Sequence, residues 1–214
     1  SRDDGRIALM GRKVGLDLEQ ITAAAVELVE ADGLEAATLS SVAAKLGVKT
    51  PSLYNHVSGL AGLRRLITLA AVEQLTDACR AAVSPISEAD ESASISGARK
   101  PDDGLQAVAR AYRRFAIHHP GLYRSLLPSP TPEEDPELHQ AMSAPVMVVA
   151  EAMAGTTDVD DGPISADTIH SIRALRALVH GFVDLEINGG FGIPVDIEES
   201  FDRAIDLFVS SLKS

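Results

Sequence analysis

The chain has 214 residues, of which 45% are hydrophobic, with a single cysteine and a formal net charge of −12. A chain of this length can bury a sizeable core and suits one small and one medium domain. The lone Cys79 excludes an internal disulfide, no apolar run approaches the length of a membrane span, and the N-terminus has no hydrophobic signal core. These features predict a soluble cytoplasmic protein with no membrane partner.

The negative charge is unevenly distributed along the chain. Residues 1–66 contain eight Lys or Arg and eight Asp or Glu. Residues 67–214 contain eleven Lys or Arg and twenty-three Asp or Glu, so they carry the whole net charge. Four basic residues precede the first predicted helix: Arg2, Arg6, Arg12 and Lys13. Residues 1–16 are therefore predicted to form a flexible basic arm, in which Arg12 and Lys13 could reach DNA phosphates or the minor groove. A plain solvated terminus is the alternative that these residues leave open.

Two very short helices around a tight turn are predicted for residues 38–57, TLSSVAAKLGVKTPSLYNHV. A capped helix from Asp17 to a stop at Gly33 precedes them and should pack over them. Ser40 is predicted to cap the first short helix, and Gly47 can take the left-handed conformation that ends it. Thr50 is predicted to cap the second, which would begin at Pro51. This pattern is typical of a helix-turn-helix.

The second short helix has a polar outward face suited to reading a DNA major groove. Its members are hydrogen-bond donors with one cation and one aromatic ring: Lys49, Thr50, Ser52, Tyr54, Asn55 and His56. An ordinary helical hairpin with a polar face would show the same short pattern, so these residues alone leave both interpretations open.

The rest of the chain has helical periodicity and no strand alternation. A long helix is predicted from Ser58 towards Val83, and the serine-rich, charged residues 84–104 are predicted to be a mobile loop. Further helices follow around residues 105–119, 121–127, 138–153, 165–188 and 196–212, with Pro145 expected to kink one of them. The predicted fold class is all-α, with about nine helices.

At residues 17–66 the chain resembles the TetR family of transcriptional regulators. The resemblance rests on ADGLEAATL, SSVAAKLGV and SLYNHV in the right order, followed by a leucine-spaced fourth helix. It implies a helix-turn-helix DNA-binding domain at residues 17–65. The chain departs from the family pattern at one position. These regulators usually carry a lysine at the start of the fourth helix, where it holds a DNA phosphate, but this chain has Leu60 there.

The C-terminal stretch RALRALVHGFVDLEINGGFGIPVDIEESF resembles the WHG-type C-terminal domain of one branch of TetR regulators. The chain has no tryptophan, but the His180-Gly181 pair is present. The resemblance implies a ligand-sensing and dimerising domain at residues 66–214.

No reactive constellation of catalytic or metal-ligating residues is found in the sequence. Neither His118-His119 nor His170 with His180 has the spacing of a helical metal site. The glycines of NGGFG follow a helix and are predicted to form a turn, not a nucleotide-binding loop. The chain is therefore predicted not to be an enzyme, with no catalytic residue, no metal and no cofactor.

An effector pocket is predicted among inward-facing residues of the C-terminal helices. Its predicted lining is apolar with a few polar anchors, as is usual for small-ligand sites: Phe115, His119, Tyr123, Met142, Val146 and His180. Each of these residues could equally belong to the core.

A dimer interface is predicted on the two final helices. Ala174, Ala177 and Gly181 form a stripe of small residues where another helix can approach closely. Phe201, Ile205 and Phe208 are predicted to join this interface from the last helix. The alternative is that the stripe meets another helix of the same chain.

The resulting interpretation is a dimeric, ligand-responsive regulator, most consistent with a repressor, that binds a pseudo-palindromic operator in double-stranded DNA. The alternative from another class is a helical small-molecule-binding or enzymatic protein that uses the N-terminal fold as an interaction module. The overall acidity and the missing phosphate-binding lysine keep that alternative open.

Overall fold

The computed structural model describes residues 16–83, 101–127, 130–154 and 165–212. Within these ranges the chain forms nine α-helices, one 3₁₀ helix and no strand, which confirms the predicted all-α fold class. The helices are α1 (Leu18–Asp32), the 3₁₀ helix (Leu34–Ala36), α2 (Leu39–Lys45), α3 (Thr50–Leu53), α4 (Gly59–Val83), α5 (Pro101–His118), α6 (Pro120–Ser125), α7 (Pro136–Ala154), α8 (Ala166–Ile187) and α9 (Ile197–Ser211).

Helix α1 begins and ends where the sequence predicts. The Asp17 carboxylate accepts from the Gln20 N–H at 2.8 Å, and the Gln20 side chain accepts from the Asp17 N–H at 3.3 Å. At the other end, Gly33 has a positive φ of 86° and its N–H donates to the Val29 carbonyl at 2.9 Å. These local bonds satisfy backbone groups that the helix itself leaves unpaired.

The two short helices form as predicted, but both predicted caps are wrong. Helix α2 is capped by Thr38 and not by Ser40, because the Thr38 and Ser41 side chains pair reciprocally with each other's backbone N–H groups. Helix α3 already includes Thr50, with Lys49 as its cap and Pro51 in its first turn. The missing proline N–H still costs little there, since N–H groups of the first turn have no partner within the helix. Gly47 has a φ of 66°, as predicted for the turn.

A small core holds α1, α2 and α3 together. Ile21, Val42 and Leu53 are fully buried, as are Leu63 and Ile67 from the first half of α4. Each such side chain contributes about 1.5–3 kcal/mol of burial free energy. The orientation of α3 is therefore fixed by the side chains behind it, and its opposite face is left to solvent.

The remaining helices pack around α5, which contacts α4, α6, α7, α8 and α9. Helix α5 begins at Pro101, so the predicted loop of residues 84–104 is wrong for residues 101–104. The reason is that a proline is favoured in the first turn of a helix, a cue that apolar periodicity does not carry. The other part of that predicted loop, residues 84–100, lies outside the described residues.

Helices α8 and α9 are joined across α5 by polar contacts as well as by apolar packing. Arg113 donates two hydrogen bonds to Glu186, at 2.6 and 2.8 Å, and both side chains are largely buried. Arg110 donates to Asp202 at 2.7 Å, and that bond raises the pKa of the guanidinium. Ser165 caps α8 by accepting from the Thr168 N–H, and Asp196 caps α9 by accepting from the Glu199 N–H.

Candidate nucleic-acid interface and internal cavity

The side chains predicted to read DNA lie on the outside of the N-terminal helices. Lys49, Tyr54, Asn55 and His56 are exposed, with 60% of Tyr54 accessible. Thr50 and Ser52 are half-buried. Helix α3 is only four residues long, so Tyr54 to His56 lie in the turn that follows it. That turn is held by the Leu53 carbonyl, which accepts from the N–H groups of His56 and Val57, both at 2.9 Å.

Most cations near this surface are already paired with carboxylates. Lys45 lies 2.7 Å from Glu27, and Arg64 donates to Glu35 at 2.8 Å. Among the described residues up to position 65, Lys49 is the cation that has no ion pair. Leu60, at the start of α4, is 41% exposed and adds no charge. The described surface therefore offers donors and an aromatic ring but little positive charge.

The predicted basic arm contains the other cations of residues 1–66. Residues 1–15, including Arg12 and Lys13, lie outside the described residues, so their DNA contacts stay a prediction.

A charged clamp joins α4 to the start of α7. Arg65 donates to both carboxylate oxygens of Asp135, at 2.5 and 3.2 Å, and to Glu137 at 2.7 Å. The hydrogen bond to Asp135 raises the pKa of Arg65. The pKa of Asp135 is lowered by Arg65 and by the Leu138 N–H, which donates to it at 3.0 Å. Asp135 thus caps α7 and anchors it to α4 with the same carboxylate.

Helix α6 lies directly against α1, the helix that backs the helix-turn-helix. A Cβ on Gly121 would stand 2.7 Å from both the Cγ1 and the carbonyl oxygen of Val29. Beside this contact, His119 Nδ1 lies 2.9 Å from the Glu30 carboxylate. Thr68 of α4 donates to the Ser125 carbonyl of α6 at 3.2 Å. Since all three contacts involve α6, a movement of this helix would be transmitted to the N-terminal helices.

An internal cavity of about 90 Å³ lies between α4, α5, α7 and α8. Its walls are mostly aliphatic, with contributions from Val72 and Leu75 of α4 and from Ile172, Leu175 and Val179 of α8. Two of the six predicted pocket residues, Met142 and Val146, line it. Two polar residues that sequence reasoning missed, Tyr112 and Arg176, also line it.

The other four predicted pocket residues lie outside this cavity. Phe115 and Tyr123 are buried in the core, and His119 faces Glu30 of α1. The Tyr123 hydroxyl lies 2.6 Å from His180 Nδ1, and the Tyr123 ring is 5.9 Å from both Tyr112 and His180. The cavity of about 90 Å³ is smaller than the few hundred Å³ usual for small-ligand sites.

The hydroxyls of the two tyrosines remain protonated at physiological pH. Burial raises the pKa of Tyr112, although the nearby Arg176 charge opposes the shift. Burial and the neighbouring Tyr112 also raise the pKa of Tyr123. Tyr112 therefore presents a neutral hydroxyl near the Arg176 guanidinium, and both side chains line the cavity.

The predicted small-residue stripe on α8 faces away from the chain's own core. Ala174, Ala177 and Gly181 are exposed, and no atom lies within 4 Å of where a Gly181 Cβ would be. Leu185 extends the same exposed surface towards the C-terminal end of α8. No helix of the described chain covers the stripe, so a partner could approach it.

The predicted contribution of α9 to a dimer interface needs correction. Phe201 and Ile205 are 0% and 1% exposed because they pack inside their own chain, so they have no surface left for a partner. Phe208 is half-buried. Leu207, which the sequence analysis missed, is 74% exposed and provides the apolar outer surface of α9. Its position beside the half-buried Phe208 and the buried Val209 shows that α9 is apolar on more than one face.

Two kinds of feature are absent from the parts of the chain that the structure describes. In those parts no group of three or more His, Cys, Asp or Glu residues is placed to hold a metal ion. None of the helices there is both long and apolar enough to cross a membrane.

Comparison with protein families gives two matches along the chain. Residues 21–59 match the model described as bacterial regulatory proteins of the tetR family, and residues 105–208 match that of the tetracyclin repressor-like C-terminal domain. The first covers most of α1 and all of α2 and α3. The second covers most of α5 and extends through α8 into α9.

Relatives by sequence are regulators with a helix-turn-helix. The uncharacterised HTH-type transcriptional regulator YobS of Bacillus subtilis is 30% identical over 204 residues, which cover 95% of this chain and 96% of that protein. The HTH-type transcriptional repressor DrrR1 of Streptomyces coeruleorubidus is 44% identical over 57 residues, or 27% of this chain and 21% of that protein.

Solved structures share the fold at low sequence identity. The transcriptional regulator SCO7222 of Streptomyces coelicolor superposes with a TM-score of 0.64 at 20% identity, covering 92% of this chain and 97% of that one. A TetR variant from Acinetobacter baumannii in complex with minocycline superposes with a TM-score of 0.62 at 18% identity, covering 92% and 97%.

Proposed function

Because the chain belongs to the TetR family of bacterial transcriptional regulators, we propose that it is a dimeric repressor that a small-molecule effector releases from its operator. The observation that carries this proposal is helix α4. It begins directly after the exposed turn of Tyr54 to His56 and continues without interruption to Val72 and Leu75 in the cavity wall. A single rigid element thus connects the candidate DNA surface to the candidate effector site.

The contacts to DNA divide into positioning and reading. The residues that mainly contact phosphates are Tyr54, His56 and Thr50. Those that mainly contact base edges in the major groove are Lys49, Ser52 and Asn55. The basic arm, with Arg12 and Lys13, adds phosphate contacts that the uncharged Leu60 does not provide.

Dimerisation places two recognition helices in successive major grooves. The spacing required is about 34–36 Å or a multiple of it, and one recognition helix of four residues makes too few contacts to bind alone. The exposed stripe of Ala174, Ala177 and Gly181, together with Leu207 on α9, is the proposed interface. Two copies related by a two-fold axis would form a four-helix contact there.

Effector release follows from a difference in affinity between two conformers. A ligand that prefers the conformer with misplaced recognition helices lowers DNA affinity by that difference. Two routes from the cavity to the DNA surface are available in the contacts described above. One runs through α7 and its Asp135 clamp to Arg65 of α4, and the other through α6 to Val29 of α1.

Two of the comparisons agree with this role. DrrR1, which is similar to 27% of this chain, is named as a repressor, and the Acinetobacter baumannii protein was solved with minocycline bound. Both properties are those of the named proteins and are proposed here for this chain. With DNA as its target, the protein acts in the bacterial cytoplasm and has no enzymatic role in this proposal.

The experiment is a selection of binding sites from random double-stranded DNA, followed by a salt titration of affinity for the selected site. We expect a pseudo-palindromic consensus, and an affinity that falls steeply with salt because bound phosphates release counterions. Lys49→Ala should weaken binding to that site, whereas Lys45→Ala, at a cation already paired with Glu27, should change it little. Recovery of no consensus and no salt-sensitive binding would favour a helical protein that uses its N-terminal fold as an interaction module.

A further inference from the structure

We propose that the cavity binds a small organic anion, a carboxylate with a short apolar body. This inference rests on the proposed effector function and names the chemical class of the effector. It follows from three properties of the cavity: its apolar walls, its charge and its size.

The walls of the cavity favour a hydrocarbon chain. Apart from Tyr112 and Arg176, every lining residue is an aliphatic residue, Met142 or Pro145. Apolar surface removed from water on binding is stabilising by about 25 cal/mol per Å². A ligand without an apolar body would leave these walls unused.

The charge at the wall favours an anionic head group. Arg176 takes part in none of the ion pairs formed by described residues, whereas Arg110 and Arg113 of α5 pair with Asp202 and Glu186. No carboxylate is among the described residues that line the cavity, and the adjacent Tyr112 hydroxyl is a neutral donor. Arginine binds carboxylates through paired N–H donors, and Tyr112 can add a further hydrogen bond.

Exposure of Arg176 sets the orientation of the ligand. Its side chain lines the cavity and is also exposed to solvent, so the guanidinium marks the mouth. The carboxylate would sit at this mouth, with its chain directed towards Val108 and Val146. A volume of about 90 Å³ accommodates a short chain and excludes most drug-sized molecules, whose pockets span roughly 300–1,000 Å³.

The test compares three ligands that share one chain and differ in head group: hexanoate, hexanol and hexylamine. Thermal unfolding of the full-length protein is measured at neutral pH with each ligand. We expect hexanoate at a hundredfold excess over its Kd to raise the Tm by about 5–10 °C. Hexanol should raise it much less and hexylamine not at all. An equal shift with hexanol or hexylamine, or none with hexanoate, overturns the proposal.

Variants of Arg176 identify the group that holds the carboxylate. Arg176→Gln should weaken hexanoate binding at least about tenfold, because it removes a charge-assisted hydrogen bond. Arg176→Lys, which keeps the charge, should retain part of the affinity. Arg173→Gln is the matched control, since Arg173 is an exposed arginine one turn earlier on α8 that does not line the cavity. Equal affinities for the Arg173 and Arg176 variants would contradict the assignment.

Failure of this inference can be distinguished from failure of the proposed function. Operator binding without ligand tests the function, and hexanoate binding without DNA tests the cavity. If the protein binds its operator but does not bind hexanoate, the proposed function stands and this inference is wrong. If the protein binds hexanoate through Arg176 but binds no operator, the anion site stands and the proposed function is wrong.

Discussion

Replacing Gly121 by alanine should destabilise the protein by separating α6 from α1. The new Cβ would stand 2.7 Å from the Val29 Cγ1 and carbonyl oxygen, whereas carbon contacts are favourable at about 3.5–4.0 Å. Val29 is buried, and its carbonyl also accepts the Gly33 N–H that ends α1. Overpacking of this kind costs about 1–3 kcal/mol, offset by up to about 1 kcal/mol from the higher helix propensity of alanine. We expect a net loss of about 1–2 kcal/mol.

Urea denaturation followed by circular dichroism measures this loss, and fluorescence anisotropy with the selected operator measures its effect on DNA binding. The matched control is Gly104→Ala, another helical glycine, which has no atom within 4 Å of a built Cβ. The control should be neutral or more stable than the unmodified protein by up to about 1 kcal/mol. Operator affinity should fall for Gly121→Ala only, because α1 backs the recognition helix.

Equal stability of the two glycine variants would refute the reasoning. It would mean that α1 and α6 can separate without cost, and that α6 does not constrain the N-terminal helices.

Three further predictions concern other parts of the molecule. Lys49→Ala and Tyr54→Ala should each weaken operator binding about tenfold or more in anisotropy titrations while leaving the Tm unchanged, since both side chains point to solvent. Gly181→Leu should yield a folded monomer in sedimentation velocity, with much weaker operator binding. Asp135→Asn should lower the urea midpoint at neutral pH. The pKa of Asp135 is depressed in the folded state by Arg65, so its contribution is complete above the unfolded value of about 3.9 and is lost as pH falls through the folded value. The difference between variant and unmodified protein should therefore shrink in acid.

Controls for these predictions come from conservative or neighbouring changes. Lys45→Ala should leave operator affinity nearly unchanged. Gly181→Ala keeps the helix surface small and should remain dimeric. A monomeric unmodified protein at micromolar concentration would remove both the interface and the paired-groove mechanism. A stability difference for Asp135→Asn that stays constant from neutral pH into acid would contradict the role given to the Arg65 clamp.

Features set by local interactions could be predicted from the sequence. The capping box of Asp17 and Gln20, the turn at Gly47 and the cap at Ser165 each depend on groups within a few residues of one another. The two wrong caps have different origins: several hydroxyls compete at the start of α2, whereas α3 begins after Lys49, whose side chain makes no capping hydrogen bond. Thr38 caps α2 instead of Ser40 because only Thr38 has a reciprocal hydrogen-bond partner, Ser41, three residues later.

Features that depend on the packing of distant helices could not be predicted. Periodicity identified Met142 and Val146 as inward-facing, but it could not tell that Tyr112 would line the cavity and that Tyr123 would lie outside it. Arg176 follows the buried Leu175 on α8, and only the position of α5 and α7 makes it a wall residue. Whether Phe201 faces its own core or a partner likewise depends on where α5 lies.

The length of α4 allows a small ligand to have a large effect. At about 1.5 Å per residue, the helix extends about 24 Å from Leu75 at the cavity to Gly59 beside the recognition turn. A tilt of only about 5° at the cavity end would move the other end by about 2 Å. That displacement exceeds the tolerance of a hydrogen bond, which weakens beyond about 3.2 Å between donor and acceptor. In a dimer the two displacements add, and a change of about 4 Å in helix spacing is large against a groove repeat of about 34 Å. In the proposed mechanism a ligand in the cavity of about 90 Å³ would therefore be sufficient for release, because a slight rotation of α4 would produce a mismatch with both half-sites.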